Sequence, residues 1–327
     1  MGWLTISVAS VARWFLEGNH TMPTEAEGSV PTEDWLIAVY VAVDTWWQRA
    51  GRHLVPRRPG PAPACSDQEL VALAVAREVL ERRSERAWRA EVQTDWGHLF
   101  PRLPAQSEWN RRTRWLWGAG EALRAWWTAP FPVAAGGGEA ADTTLVGIMH
   151  PSRVRGATSC VWAGPADGLV PGFGFCAALA TWRYGFRLGL RTGLTDGLIR
   201  AWALVPAAVD ERRVADGLLA GEADVGLLTD RGFRSAAWAH RWATEQGVTL
   251  LTAPDHAERR APTRPPALRA FVAAFRNRIE TTTGRLKDRF HLEAHRAKSF
   301  WGLLTRLTAK LAAHTFATLW PLDLIPT

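Results

Sequence analysis

Cysteine, methionine and tyrosine are scarce in this chain of 327 residues, which contains 3 Cys, 3 Met and 2 Tyr. Cys65, Cys160 and Cys176 form no CxxC pair and do not have the spacing of zinc ligands. This scarcity argues against a structural zinc site and against a disulfide framework, and it fits a reducing cytoplasm. No run of about 18 uncharged apolar residues occurs, so we expect no membrane-spanning helix. Residues 1–17 lack the basic start and the cleavage site of a secretion signal, so we expect a cytoplasmic protein.

Positive charge is abundant and unevenly distributed. The formal net charge is +7 and the sequence pI is about 10.1, a balance that favours a polyanionic partner such as nucleic acid. Residues 255–310 contain ten Arg and three Lys against five acidic residues. We therefore expect this segment to contact DNA, mainly through its phosphates.

Three regions are predicted from composition and spacing. Residues 1–64 form a poorly defined leader with one helix at 35–50 and a proline-rich linker at 52–64. Residues 65–130 form a helical DNA-binding or accessory region, and residues 131–327 form a catalytic domain that ends in helices. Within the second region, Ser66 followed by Glu69 predicts a capping box at a helix start. Further helices are expected at 85–96 and 110–127.

Tryptophan is concentrated in the first two regions, with twelve of the 19 residues before position 130. These side chains either stack on bases or fill a helical core, and we favour the core. Arg111, Arg112 and Arg114 either contact phosphates or lie on a solvated surface, and we favour the surface.

The third region has a recognisable order of elements. Strands are predicted first, at 139–148, 184–191 and 198–205, and a helix follows at 210–219. A strand at 225–228, a helix at 235–246 and a strand at 248–252 come next. This order predicts an α/β fold, an RNase H-like mixed sheet whose strands 1–3 are antiparallel and whose later strands are parallel, flanked by helices and preceded by an all-α N-terminal region. Long helices at 268–290 and 300–320 complete the domain, and we expect the last one to pack on it.

Three acidic residues occupy positions that can converge in such a fold. Asp230 follows the apolar strand at 225–228, although an isolated aspartate there most simply caps the next turn. Asp142 lies on the first strand and Glu280 on the long helix, so all three can meet at one edge of the sheet. Close carboxylates repel one another unless a cation neutralises them, and Mg²⁺ or Mn²⁺ prefers such oxygen ligands. Glu139 is the alternative to Asp142.

Two basic residues share a helix with Glu280. Arg276 and Lys287 are four and seven positions from Glu280, so all three side chains project from one face of the helix. The Arg276–Glu280 spacing is equally that of an ordinary surface pair.

From about residue 66 to about residue 319, the chain resembles DDE transposases of bacterial insertion sequences. It is most similar to the group that insertion-sequence nomenclature numbers nine-eight-two. The residues Arg276, Glu280 and Lys287 match most of the Y-R-E-K signature of related transposases, and its tyrosine is replaced by Ala273. The remaining similarity lies in residues 96–104, 110–112, 184–188, 209–212, 229–233 and 278–287.

The resemblance implies Asp142, Asp230 and Glu280 as the catalytic residues and as the ligands of Mg²⁺ or Mn²⁺. It implies metal-dependent DNA cleavage at element ends and transfer of the 3′-hydroxyl into target DNA. The DNA partners would be terminal inverted repeats and target DNA, with a homo-oligomer assembled on them at the bacterial nucleoid. Arg276 and Lys287 would hold phosphate or orient Glu280, and the full set expected to contact DNA is Arg276, Lys287, Arg187, Arg231, Arg285 and Lys298.

Two other functions remain open from the sequence. One is a host nuclease with an RNase H-like fold, and the other is a decayed or domesticated copy that only binds DNA. We expect His291 and His295 to be structural or phosphate-facing, because hard metal ions favour oxygen ligands.

Overall fold

The computed structural model describes residues 31–55, 60–133, 138–154, 160–166, 168–176, 179–254, 258, 260 and 263–320. The expected leader at residues 1–30 and part of the proline-rich linker lie outside these residues. The chain divides into two compact units. A helical unit comprises Met1–Trp127 and Leu304–Thr327, and a sheet unit comprises Thr128–Leu303.

The helices of the first unit follow the predicted pattern with one exception. The expected capping box is present, because the Glu69 amide donates to Ser66 Oγ at 3.1 Å and the Glu69 carboxylate accepts from the Ser66 amide. The single helix expected at 110–127 is instead two helices, interrupted at Leu116, which leaves helical geometry at φ −89° and ψ 10°. The bounds are α1 Thr32–Trp46, continued by a π-helical turn Trp47–Gly51 and a short turn Arg52–Leu54, then α2 Asp67–Val79, α3 Glu85–Asp95, α4 Gln106–Trp115 and α5 Trp117–Thr128.

The last helix, α9 (Phe300–Leu319), differs from its expected place. From Leu304 onward it belongs to the helical unit rather than to the sheet unit. The Phe316 ring lies 6.3 Å from that of Trp35 and 5.7 Å from that of Trp127. An amphipathic pattern predicts that a helix buries one face but does not identify the partner it packs against, which explains the difference.

Most described tryptophans of the helical unit lie in its core or at its margin. Trp46, Trp88 and Trp109 are among the largest fully buried side chains, which confirms the core interpretation for them. Trp115 is 54% exposed. The expectation for Arg112 was wrong: its guanidinium is buried and donates at 2.7 Å to both Asp67 Oδ1 and the Cys65 carbonyl.

A buried ion network crosses the helical unit. Glu78 pairs with Arg77 and accepts from Lys310 Nζ at 2.6 Å. Glu85 lies 3.1 Å from Arg77 and 3.5 Å from Arg306. Burial alone would raise the pKa of Glu78, but the Arg77 and Lys310 charges hold that pKa below its usual value. Two cations of the basic segment 255–310 are therefore used inside the fold.

The second unit contains a mixed six-stranded sheet in the order β2-β3-β1-β5-β6, with β4 also paired to β3. Strand β3 is antiparallel to β1, β2 and β4, whereas β5 is parallel to both β1 and β6. The predicted mixed α/β sheet is confirmed, and its assignment to the RNase H-like fold stays a prediction. The bounds are β1 Glu139–Met149, β2 Gly172–Cys176, β3 Thr181–Gly193, β4 Ile199–Pro206, β5 Gly226–Thr229 and β6 Thr249–Thr252.

Helices lie against the two faces of this sheet. Successive strand residues point to opposite faces, so neighbouring positions enter different cores. Ala141 and Leu227 pack with α6 (Glu211–Leu219) and α7 (Ala236–Gln246), in a cluster that includes Val214 and Trp242. On the other face, Ala140 and Leu228 pack with Val272 of α8 (Pro266–Asp288).

Strand β2 is the element that the sequence did not predict. Glycine is uncommon in β-strands, and two of the five residues of β2 are glycines. Gly174 is required here because an added Cβ would lie 2.8 Å from the Ala207 carbonyl oxygen. The close backbone approach thus depends on glycine, a reason that composition does not reveal.

Candidate active site

Asp142 on β1 and Asp230 directly after β5 are neighbours. The parallel register pairs Ala140 with Leu228 and ends at Ala141 with Thr229, so each aspartate directly follows the last paired residue, Asp142 within β1 and Asp230 just after β5. Ala140 and Leu228 face α8, and alternation places the residues two positions later on the same face. Strand β5 ends at Thr229, so Asp230 stands at its carboxyl end, where open α/β sheets carry their ligand sites.

The Asp142 carboxylate is half-buried and held from two sides. Its Oδ1 accepts from the Thr143 amide at 2.7 Å, and its Oδ2 accepts from Thr283 Oγ1 at 3.1 Å. The pKa of Asp142 is raised to about 6, mainly by burial, with the two hydrogen bonds lowering it and the carboxylates of Glu211 and Asp230 adding to the rise. Negative charge is therefore concentrated here, and a cation would offset it.

Asp230 does not serve as a helix cap. It precedes the 3₁₀ turn Arg231–Phe233, but its side chain makes no capping hydrogen bond. The next helix, α7, is capped by Ser235, whose Oγ accepts from the Trp238 amide. The Asp230 side chain is exposed, so its carboxylate is accessible from solvent.

Glu280 lies on α8 and is exposed. It precedes Thr283 by three positions, so the two side chains share one face of the helix. Thr283 contacts Asp142. Glu280 therefore lies one helical turn before the residue that makes this contact. We expected Asp142, Asp230 and Glu280 to lie together, and the structure has two neighbouring aspartates with this glutamate on the adjacent helix.

The donor set fits a hard divalent ion in its chemistry, since all three groups are carboxylates. Within the described part of the chain, no three His, Cys, Asp or Glu side chains form a group able to hold a metal ion. The neighbouring aspartates are thus a pair of carboxylates, not a group of three.

The alternative acid, Glu139, has a different environment. Its carboxylate is buried and lies 3.1 Å from Arg191 Nη1, and Arg191 also forms an ion pair with Glu222. Glu139 is three positions before Asp142, so alternation places it on the opposite face of β1. Glu139 therefore contributes to the fold rather than to the pair of aspartates.

The residues expected to contact DNA have unequal environments. Arg231, Arg285 and Lys298 are exposed, as a phosphate contact requires. Lys287 Nζ lies 3.9 Å from Glu293. The Arg276 side chain lies outside the described residues, although its backbone is part of α8.

Arg187 was also expected to contact DNA, but it is engaged within the protein. Its side chain is 14% exposed, and Nη1 donates to Glu211 Oε1 at 2.8 Å and to Thr143 Oγ1 at 2.9 Å. A direct DNA contact by Arg187 would have to displace these bonds.

Of the two alternatives expected for His295, structural or phosphate-facing, its hydrogen bonds favour the structural one. Its Nε2 lies 3.0 Å from the Gly147 carbonyl oxygen, and its Nδ1 accepts from the Ala297 amide at 3.0 Å. Both ring nitrogens are occupied, which leaves none for a metal ion.

Sequence reasoning missed Glu211, Thr143 and Thr283. Acidic residues at a helix start usually interact with the positive end of the helix dipole, and the sequence offers no further role for those of α6. Asp210 fits that interpretation, because it accepts from the Arg212 amide at 2.9 Å. Glu211 instead contacts Thr143, and its position at the helix start, shortly after β4, was the only signal in the sequence.

A family model described as a transposase DDE domain matches residues 149–316, just over half of the chain. The chain therefore belongs to the DDE transposase family. The matched range contains Asp230 and Glu280 and begins after Asp142. No curated protein and no solved structure matches this chain.

Membership of this family implies a nuclease or transferase that acts on DNA. Among the helices that the structure describes, none combines the length and the apolar character needed to cross a membrane.

Proposed function

We propose that this protein is a transposase that cuts DNA at element ends and joins the freed 3′-hydroxyl to target DNA. The observation that carries the proposal is the place of Asp142 and Asp230, each directly after the last paired residues of β1 and β5, in a chain that matches the DDE family. The strand directions support an RNase H-like fold. The motifs shared with the nine-eight-two group support a bacterial insertion-sequence origin and action at the nucleoid, in the cytoplasm.

Asp142, Asp230 and Glu280 would hold the divalent ion, Mg²⁺ or Mn²⁺. When bound, such an ion activates a water or 3′-hydroxyl and stabilises the leaving oxygen in phosphodiester cleavage. Asp142 is oriented by the Thr143 amide and by Thr283, which fixes one carboxylate before DNA arrives. Asp230 and Glu280 are exposed, so they can approach a phosphate brought to the surface.

The DNA would be held mainly through its phosphates, at terminal inverted repeats and at the target. Exposed Arg231, Arg285 and Lys298 are suited to this, together with Arg276 and Lys287 on α8. Affinity carried by phosphate contacts falls steeply with salt. We propose that the active form is a homo-oligomer assembled on DNA.

A second candidate is a protein that binds DNA without catalysis, as a decayed or domesticated copy would. The observation that favours it is the lack, among the described residues, of a three-membered group able to hold a metal ion. A host nuclease would share the proposed chemistry up to cleavage.

One assay separates these functions. Purified protein is incubated with Mg²⁺ or Mn²⁺, DNA that carries the element ends, and a target plasmid. The proposal predicts metal-dependent nicks at the ends and covalent joining of the 3′-hydroxyl to the target. The variant Glu245→Gln, which changes an exposed acid on α7, should behave like the wild type. Cleavage without joining would indicate a nuclease, and binding without cleavage would indicate the second candidate.

A further inference from the structure

Glu211, the first residue of α6, connects the strand that carries Asp142 to a neighbouring strand. Its Oε1 accepts from Thr143 Oγ1 at 2.9 Å and from Arg187 Nη1 at 2.8 Å. Arg187 Nη1 also donates to Thr143 Oγ1 at 2.9 Å, so the three groups form a closed triangle. Thr143 directly follows Asp142, and this triangle therefore fixes the backbone beside that carboxylate.

The second oxygen of Glu211 reaches the turn after β5. A Cβ added at Gly232 would overlap Oε2 of Glu211. Gly232 is not among the residues with positive φ, so its backbone does not require glycine. A side chain at this position would instead have to displace the Glu211 carboxylate. Since Gly232 is two residues after Asp230, Glu211 contacts both segments that carry the aspartates.

Glu211 is not placed as a free metal ligand. Its side chain is 33% exposed and is tied to Arg187, whose side chain is 14% exposed. Arg187 Nη2 also lies 3.4 Å from the Ala207 carbonyl oxygen, so the pair is anchored at a third point. A carboxylate held in this way can influence the site by keeping two backbone segments in place, the one at Thr143 and the one at Gly232.

We propose that Glu211 is a positioning residue, which bridges Thr143 and the turn at Gly232 and so sets the relative placement of Asp142 and Asp230. This inference rests on the proposed function. A misplacement of about 1 Å in a catalytic group can cost about a hundredfold in rate, so loss of this bridge should be visible in catalysis.

The proposed bridge depends on hydrogen-bond acceptors at position 211 and not on the negative charge there. Two substitutions of Glu211 test this. Glu211→Ala removes the bridge and should lower the cleavage rate at saturating DNA by at least about tenfold. Glu211→Gln keeps an oxygen that accepts from Thr143 and Arg187 and should recover most of that loss. DNA affinity should change less than about twofold in both variants, because the contact is internal.

Gly232 supplies an independent test that leaves Glu211 in place. Gly232→Ala should displace the carboxylate and lower the rate as Glu211→Ala does. In a Glu211→Ala background the same change should have little further effect, because the obstructing oxygen is absent. This non-additivity is the mark of two residues that act through one contact.

Hydrogen–deuterium exchange gives a readout that does not depend on activity. Peptides covering residues 139–149 and 226–234 should exchange faster in Glu211→Ala than in the wild type. They should exchange at the wild-type rate in Glu211→Gln and in the control Glu245→Gln.

The outcomes separate this inference from the proposed function. If Asp230→Asn cleaves like the wild type, the proposed function fails. If Asp230→Asn is inactive while Glu211→Ala cleaves and exchanges like the wild type, only the bridge is overturned. A Glu211→Gln variant as inactive as Glu211→Ala would also overturn it, because charge rather than geometry would then be required.

Discussion

Thr283 of α8 donates a hydrogen bond of 3.1 Å to Oδ2 of Asp142 on β1, across a separation of 141 positions in the chain. Thr283 is buried, whereas Glu280, one turn earlier, is exposed. The hydrogen bond therefore ties the helix that carries Glu280 to the strand that carries Asp142. It is the most direct link between the long helix and the pair of aspartates.

Replacing Thr283 tests this link. Thr283→Val keeps the shape of the side chain but removes the donor, so the Asp142 carboxylate loses one of its two hydrogen bonds. We expect slower cleavage by about tenfold and a further rise in the pKa of Asp142, because this hydrogen bond lowers that pKa. Thr283→Ser should restore both. Cleavage rates measured across pH would show the change, and a Thr283→Val variant with the wild-type rate and profile would contradict it.

The raised pKa of Asp142 predicts a pH-dependent cost in stability. Its folded pKa is about 6 against a usual value of 3.8, so the protonated carboxyl stabilises the fold fully below about pH 3.8. That contribution is lost as pH rises through about 6. In metal-free protein at pH 7.5, Asp142→Asn should therefore be more stable than the wild type by about 2–3 kcal/mol, and by only about 0.5 kcal/mol at pH 4. Urea unfolding at the two pH values measures this difference.

Asp210 supplies a control of opposite sign. The Arg212 side chain, through its hydrogen bonds, lowers the pKa of Asp210 to about 2. Its stabilising contribution is present above the usual carboxyl pKa and is lost as pH falls toward 2. Asp210→Asn should therefore destabilise the protein at pH 7.5 and lose that effect in acid. A stability difference for Asp142→Asn that does not vary with pH would contradict the account of its pKa.

The buried network of the helical unit predicts a large effect for one lysine. Glu78 is buried and forms ion pairs with Arg77 and Lys310. Lys310→Met removes the second of these ion pairs and keeps the first. Breaking a buried pair in this way typically costs about 3–5 kcal/mol, so we expect a loss of about 3 kcal/mol in the free energy of unfolding. Lys287→Met is the matched control, since Lys287 and Glu293 are partly exposed and 3.9 Å apart. It should change stability by less than about 0.5 kcal/mol, and equal effects of the two variants would contradict the prediction.

Much of the fold could be predicted from local pattern. The strand at 139–148 and the helix at 235–246 were expected from their apolar spacing, and the structure has β1 at Glu139–Met149 and α7 at Ala236–Gln246. Ser66 and Glu69 form the expected capping box because that motif involves only neighbours in the chain. Such features depend on short-range geometry, which a sequence displays directly.

Long-range contacts could not be predicted in the same way. Arg112 looks like a surface residue in the sequence, but it is buried, and its guanidinium donates hydrogen bonds to Asp67 and to the Cys65 carbonyl. The partner of α9 and the glycine-dependent strand β2 were missed for the same reason. In the site, Asp142 and Asp230 follow from strand order, whereas Glu211 and Thr283 depend on which helix lies against which face.

Salt dependence tests the role of the exposed cations. Arg231→Ala and Arg285→Ala should each weaken DNA binding to all sequences alike and reduce the slope of log K against log salt by about 1. Arg212→Ala is the matched control, because Asp210 already binds that guanidinium at 2.8 Å. Filter binding or fluorescence anisotropy at several salt concentrations measures the slope. An unchanged slope for both test variants would show that these residues do not contact DNA phosphates.

The most direct test of the central claim is the substitution Asp230→Asn, which preserves size and removes one charge of the neighbouring pair. Cleavage of DNA carrying element ends is measured with Mg²⁺ or Mn²⁺, and DNA affinity is measured in parallel. The account predicts that cleavage disappears while affinity persists or increases, because a negative charge near the phosphates is lost. Cleavage at the wild-type rate would contradict the account.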